Sequence, residues 1–259
     1  MAIRIIVSFI LVSVFACSCV STQNIAYMSN IKDASFKSSL GMVEAPIQSN
    51  DILSIYISSL DAEASAIFNA NNTFVSRSTT ATGASTQSAG YLVNVDGNIQ
   101  LPILGNIKAA GLTKTELKQF ITKTLLSKKL LIDPVVDIRY LNFEVTVLGE
   151  VAKPTVITVP SERISLVKAL GLAGDLTIYG KRTNVLLIRE QDGKRITHHI
   201  DLNASDFIIS PFYYLQPNDV VYVEPNRAKI ASAGRTQQLL PIILSGLTAV
   251  IIVLDRVIK

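Results

Sequence analysis

Between residues 91 and 125 the sequence changes its period, and that change limits the fold more than any other stretch. Tyr91, Val93 and Val95 alternate with Leu92 and Asn94, the period of a half-buried strand. Asp96-Gly97 follows. This pair takes positive φ cheaply and favours a two-residue hairpin turn. Ile99, Leu101 and Ile103 alternate on the return, where Pro102 points to an edge or a bulge because it cannot donate to a ladder. Gly105 and Gly111 permit further bends. Thr113 and Glu116 then stand at the spacing of a capping box. Leu117, Phe120, Ile121 and Leu125 recur at helical spacing, with Lys114, Lys118 and Lys123 on the other side. The stretch therefore predicts a hairpin feeding a helix that packs back on strands.

Its surroundings extend the pattern. Residues 47–58, IQSNDILSIYIS, read as a strand opened by turn residues. Residues 69–90 are dominated by Asn, Ser, Thr, Ala and Gly and cannot bury much surface, so they read as a long loop or a disordered insertion. After Asp133-Pro134, VVDIRY reads as another strand. A second unit begins near Phe143. VTVLGEV and PTVITV are short strands with Gly149 and Pro154 between them. Ser165 can cap a helix that ends at Gly174, NVLLIRE and KRITHHIDL form a second pair, and YYLQPNDVVYVEP closes the unit. The fold class is α+β, and the second unit has the order of a small β-grasp-like domain.

Several functions are excluded. The 24 Lys and Arg against 20 Asp and Glu give a net charge of +4, too weak and diffuse for nucleic acid. His198 and His199 are adjacent on a strand, so they face opposite ways and make a poor metal pair. The acidic residues Asp61, Glu63, Asp133, Asp137, Glu144 and Glu150 form no pair suited to glycoside chemistry. No G-x-S-x-G, Walker loop or H-E-x-x-H occurs. The chain reads as a non-enzyme with no cofactor and no metal.

The N-terminus reads as an address. Arg4 precedes an apolar run over residues 5–16, closed by small residues and cysteine, which is the layout of a secretory signal. It resembles a bacterial lipoprotein signal, in which a cysteine receives a diacylglycerol and becomes the mature N-terminus. Cys19, preceded by small residues only, is the favoured acceptor, and Cys17 is the alternative. The residue after either is not Asp, the usual inner-membrane retention signal, so the resemblance implies sorting to the outer membrane. An ordinary signal peptide cut near Ala16 is the other reading.

The motif Tyr91-x-Val93-x-Val95-Asp96-Gly97-x-Ile99-x-x-Pro102-x-x-Gly105-x-Ile107-x-x-x-Gly111-x-Thr113 resembles the signature of the outer-membrane polysaccharide export proteins. Val147-x-Gly149-x-Val151-x-x-Pro154, the stretch from Leu166 to Gly174, Gly180 and Val185 resemble the SLBB (soluble-ligand-binding β-grasp) domain that follows in that family. The resemblance implies a signal peptide over residues 1–18, a tether over 19–46, an export domain over 47–142, an SLBB domain over 143–225, a linker over 226–237 and a membrane helix over 238–259. It implies a homo-oligomeric ring in the outer membrane, with the main domains in the periplasm, that conducts a capsular or exopolysaccharide chain. It also implies an inner-membrane polysaccharide copolymerase as partner, often coupled to a tyrosine kinase. Larger members carry more than one SLBB domain, and this chain has room for one. The motif residues themselves read as architectural.

Residues 239–254 carry no charge. As a helix they would reach roughly 24 Å, short for a typical bilayer but suited to a thinner outer membrane. Gln238, Pro241, Ser245, Thr248, Asp255 and Lys259 fall on one stripe, joined by Ile252. Pro241, Ser245, Thr248, Ile252 and Asp255 are thus candidates to line a lumen in a ring of helices, as the family's C-terminal helical barrel implies. A single anchoring helix packed through small residues, or burial in the core, are the other readings. The alternative function is a lipid-anchored periplasmic glycan-binding module, for which Tyr213, Tyr214 and Tyr222 are stacking candidates.

Overall fold

The structure is a computed structural model and describes residues 44–72, 90–191, 193–232 and 235–257. The signal, both cysteines, most of the tether and the Ser/Thr-rich centre of the insertion lie outside these residues.

Strand β1 (Ile52–Ser58) buries Leu53, Ile55 and Ile57 and leaves Tyr56 exposed, as strand alternation requires. Helix α1 (Ala62–Ala66) is capped by Asp61 and runs into a 3₁₀ turn, Ile67–Asn72, which buries Phe68. Strand β2 (Tyr91–Leu92) pairs antiparallel with one edge of β1. Strands β3 (Asn98–Leu101) and β4 (Gly105–Lys108) form a separate hairpin with Ile99 opposite Ile107. Helix α2 (Lys114–Ser127) supplies Leu117, Ile121 and Leu125 to the same core. Strand β5 (Val135–Tyr140) closes the sheet on the far side of β1 and sets Ile138 opposite Ile55.

Three expectations change here. The Asp96-Gly97 turn exists, with Gly97 N donating to Asn94 O at 2.8 Å. However, the strand leaving it pairs forward with β4, while β2 pairs back onto β1. Residues 91–93 have a better partner in residues 50–53, where Val93 N donates to Asp51 O and Asn50 N to Val93 O, both at 2.8 Å. Pro102, with no N–H to contribute, takes the tip of the β3–β4 hairpin beside Ile103, whose φ is 63°. The second change is Phe120, which lies at the margin of the α2 stripe and is 49% exposed. The third is the expected linker: residues 227–232 are helical, as described below.

The second unit is a mixed five-stranded sheet with one helix packed against it. Its strands are β6 (Glu144–Gly149), β7 (Thr155–Thr158), β9 (Gly180–Gln191), β10 (Lys194–Ile200) and β12 (Val220–Pro225), in the order β10-β9-β12-β6-β7. The last strand enters the middle, antiparallel to β9 and parallel to β6. Two short strands, β8 (Ile164–Ser165) and β11 (Tyr214–Leu215), pair beside it. Ser165 caps helix α3 (Leu166–Leu172), its hydroxyl accepting from Lys168 N at 3.2 Å. Val145, Val147, Val185, Leu187, Val221 and Val223 face Leu166, Ala169 and Leu170 in the second core.

A buried ion pair holds the central strand in register. Arg189 on β9 donates Nε to Asp219 Oδ1 at 3.0 Å and Nη2 to Oδ2 at 2.7 Å. Asp219 Oδ2 also accepts Gln216 N at 2.8 Å, and Arg189 Nη2 reaches Tyr214 O at 3.3 Å. Burial pushes the Asp219 carboxyl upward and Arg189 opposes it. One guanidinium thus joins β9, β11 and the turn before β12. Gly149 has a separate duty. Its φ is 90°, and a Cβ there would lie 2.1 Å from Val223 O.

Asn226 ends the unit by capping helix α4 (Arg227–Ser232), its Oδ1 accepting Lys229 N at 3.0 Å, while its own N donates to Tyr179 O at 2.7 Å. Helix α5 (Arg235–Val257) follows and is longer at its start than the sequence predicts.

Asp219→Ala should leave Arg189 buried and unpaired, and the urea midpoint should record a loss of about 3–5 kcal/mol. Gly149→Ala should be destabilised by several kcal/mol in the same assay, because both the φ and the β12 carbonyl oppose a side chain. A variant as stable as the parent in either case would show that the sheet tolerates the change by shifting β12.

Candidate functional site

The export motif is built into the first core rather than exposed as a binding surface. Tyr91 is buried, its hydroxyl donates to Phe68 O at 2.8 Å, and burial pushes its pKa up. Val93 and Ile99 are buried in the same cluster. Asp96 is exposed, and its carbonyl accepts Lys108 Nζ at 2.7 Å. Gly97 O accepts from both Ala109 N and Ala110 N at 2.9 Å, and a Cβ on Gly97 would lie 2.6 Å from Ala110 Cβ. Pro102 and Gly105 shape the hairpin tip. Gly111 N donates to Ile47 O at 2.9 Å, tying the motif to the residues before β1. Thr113 closes the motif as the α2 cap, accepting Glu116 N at 3.2 Å while Glu116 Oε2 accepts Thr113 N at 2.8 Å.

A second site lies where the two units meet, and sequence reasoning missed it. Tyr140, the last residue of β5, packs against both cores. Its ring meets Phe143 edge-on at 6.3 Å, and Lys114 Nζ lies 5.5 Å from its centroid. Glu162, from the loop before β8, reaches across to this point. Its Oε1 accepts Tyr140 N at 2.5 Å and its Oε2 accepts Lys114 Nζ at 2.5 Å. Glu162 does so from the left-handed region, with φ 53°, a conformation that costs a non-glycine residue about 1 kcal/mol or more. Gln48 Nε2 makes a further crossing, to Glu190 O at 2.6 Å.

Asp51 sits on the first-unit side of this joint. It is 1% exposed, and its Oδ2 accepts Gln48 N at 2.7 Å. Burial raises its pKa to about 6, against the opposing pull of the Gln48 amide and the Asn218 side chain. Tyr140 is pushed well above the ordinary phenol value by burial first and then by the charges of Asp51, Glu162 and Glu44. Lys114, Asp137, Arg139, Ser161 and Glu162 line a polar cleft of about 370 Å³ along the joint. Asp51 was visible in the sequence only as a turn residue. The role of Glu162 depends on a left-handed backbone that no local pattern announces.

The third site is α5. Ile242, Ile243, Leu247, Val250, Ile252 and Val253 are all more than half exposed, so apolar side chains face outward around much of the helix. Pro241 lies inside it. The hydroxyls on the predicted stripe are turned inward: Ser245 Oγ donates to Ile242 O at 2.9 Å, and Thr248 Oγ1 to Ser245 O at 2.8 Å. Bonded this way, they do not need water. Asp255 lies on the helix by its backbone, and its side chain is outside the described residues. Among the described residues no helix is long and apolar enough to cross a membrane. The aromatic candidates divide: Tyr213 and Tyr214 stack edge-on at 4.9 Å beside the second core, whereas Tyr222 is half-buried on the outer sheet face.

Two α+β units in tandem, each with its own core, joined by a polar clasp and followed by an apolar helix, define the class: a modular two-domain protein. The polysaccharide biosynthesis/export protein family matches residues 43–141, and the SLBB domain family matches residues 144–223. The chain belongs to the polysaccharide export family, with an export domain followed by an SLBB domain. It is similar to the EPS I polysaccharide export outer membrane protein EpsA of Ralstonia solanacearum, 31% identical over 140 residues, which is 52% of this chain and 36% of the relative. The namesake from Ralstonia nicotianae is 32% identical over 146 residues, 55% of this chain and 37% of the relative. The matched part thus covers little more than a third of those relatives' length.

Glu162→Ala should cost about 2 kcal/mol in chemical denaturation, because it removes charge-assisted bonds to Lys114 and Tyr140 N. Glu162→Gly loses the same bonds but relieves the left-handed backbone, so it should recover roughly 1 kcal/mol of that loss. Equal losses in the two variants would mean that Glu162 stores no strain.

Proposed function

We propose that this protein is a subunit of an outer-membrane conduit for a secreted polysaccharide, built as a ring of identical chains. The observation that carries this reading is α5, a long helix with apolar side chains exposed on most of its surface, following domains of the export family. A lone helix of this kind is poorly served in either solvent. Water meets its Leu, Ile and Val side chains, while lipid meets Pro241 and the terminal charges. Side by side with copies of itself, each helix can face lipid with its apolar side and turn the Pro241-Ser245-Thr248-Ile252-Asp255 stripe inward. A lipid on Cys19, or on Cys17, supplies a second attachment, and two signals anchor far better than one.

In this reading the export and SLBB domains, the latter a β-grasp, stand in the periplasm and carry no catalytic role. They transmit ring geometry to α5 through Asn226 and the Lys229–Glu150 ion pair (3.4 Å). An inner-membrane copolymerase, with or without a tyrosine kinase, delivers the chain and supplies the energy. The relatives' names, polysaccharide export outer membrane protein, support the location and the cargo class.

The test is the mass and projected shape of the full-length protein in mild detergent. The expected result is a closed ring with a central hole. Leu247→Arg or removal of residues 235–259 should abolish the ring and the export of polysaccharide from cells, while leaving the two folded domains intact by circular dichroism. A compact monomer or dimer in several detergents would overturn the conduit and favour a lipid-anchored glycan-binding module.

A further inference from the structure

We propose that Asp51 makes the joint between the export and SLBB domains sensitive to pH: the joint closes when this carboxyl is protonated and loosens when it ionises. The inference goes beyond the conduit reading and holds for any assembly of the chain.

The geometry comes first. Asp51 lies immediately before β1 at the interface of the two units, and it is almost fully buried. An ionised carboxylate has room for several donors. Here Oδ2 has the Gln48 amide, and Oδ1 is buried without a well-aligned partner. The Asn218 side chain, on the turn before β12, lies against the carboxylate from the SLBB side and compensates only in part. A buried charge so weakly satisfied favours either protonation or opening of the joint to water.

The surroundings reinforce this. Facing the joint from β5 is the Tyr140 phenol, whose own hydroxyl is buried without a partner. Glu162 from the loop before β8 and Glu44 from the segment before β1 add negative charge around that ring. Two cations face this cleft among the described residues: Lys114, at the start of α2, is bound to Glu162, and Arg139 on β5 is paired with Asp137 of its own strand. The other contacts across the joint are made by amides and carbonyls. Asn142 Oδ1 accepts Ile52 N at 2.8 Å, Asn218 N donates to the Glu144 carbonyl at 2.8 Å, and Gln48 Nε2 donates to the Glu190 carbonyl at 2.6 Å. Ionising Asp51 therefore adds a further negative charge to a site where carboxylates outnumber cations.

The direction follows from linkage. The carboxyl is raised from 3.8 to about 6 in the closed joint. A group raised in the closed state favours that state most below its open-state value, and the advantage is lost as pH rises through the closed-state value. The joint should be tightest below pH 4 and should give up its advantage by about pH 7. The full span corresponds to a change on the order of a hundred-fold in the opening equilibrium.

Hydrogen exchange by mass spectrometry on the full-length protein in detergent, corrected for the intrinsic pH dependence of exchange, reads this directly. Peptides covering residues 44–53 and 214–219 should lose protection about ten-fold between pH 5 and pH 7.5, levelling off above about pH 6, while peptides in β6 and β9 stay constant. Asp51→Asn should hold these peptides at one protection level across the range. Asn218→Asp, on an exposed residue that already tolerates the left-handed region, should raise the pH at which protection levels off. A wild-type profile flat with pH, or one that Asn218→Asp leaves unmoved, would overturn the proposal even if Asp51→Asn failed to fold.

Discussion

The chain passes from one hydrophobic core to another within a few residues, and Tyr140 has to serve both. Ile138 is buried in the first core and Phe143 in the second. Tyr140, between them, packs against each. A flexible spacer would have let the two units choose their orientations separately. Here the spacing is too short for that, so the end of β5 and the start of β6 hold the two cores against each other through Tyr140. Everything else at the joint follows from this shortage of chain. Glu162 must reach back to satisfy the Tyr140 amide, Lys114 must answer Glu162, and Asp51 is buried against the Gln48 amide and the Asn218 side chain.

That compression would matter in the proposed ring of identical chains. A ring multiplies any uncertainty in subunit shape by the number of subunits. Polar clasps at a joint give orientation rather than large net stability, since each buried charge loses hydration nearly as fast as it gains partners. The Arg189–Asp219 pair inside the SLBB domain works on the same terms, locating β12 between β9 and β6 when an apolar pair would allow it to slide. The outlet to α5 is set in the same way, by Asn226 against Tyr179 and Ile178 and by Lys229 against Glu150 and the Tyr179 ring. Rigid domains thereby point an apolar helix that has no partner among the described residues of its own chain.

Some parts of this are legible in the sequence with little loss. The Thr113–Glu116 capping box and the Ser165 cap are as the spacing implies, because a cap is a contact across three residues and needs no tertiary help. The alternating runs of β1, β5 and β12 bury the residues their period selects. The pairing of residues 91–108 was not legible in the same way. A local turn says that the chain reverses, but not which strand the reversed segment will meet. Tyr91 and Val93 were taken by residues 50–53, far away in sequence, and β3 turned to β4 instead. Phe120 shows a smaller failure of the same kind, since its place on the helix margin left its fate to whatever packed nearby.

By itself the sequence determined the α+β composition, the positions of the helix caps, the chain reversal at Asp96-Gly97, and the family that these patterns mark. These depend on interactions between residues that are near neighbours, or on a backbone conformation that one residue type permits. Tertiary structure alone decided the strand order of the five-stranded sheet, the buried Arg189–Asp219 pair and the joint of Asp51, Tyr140, Lys114 and Glu162. Each of those joins residues tens of positions apart, and the energy of a buried charge depends on what surrounds it in space. No spacing along the chain encodes that.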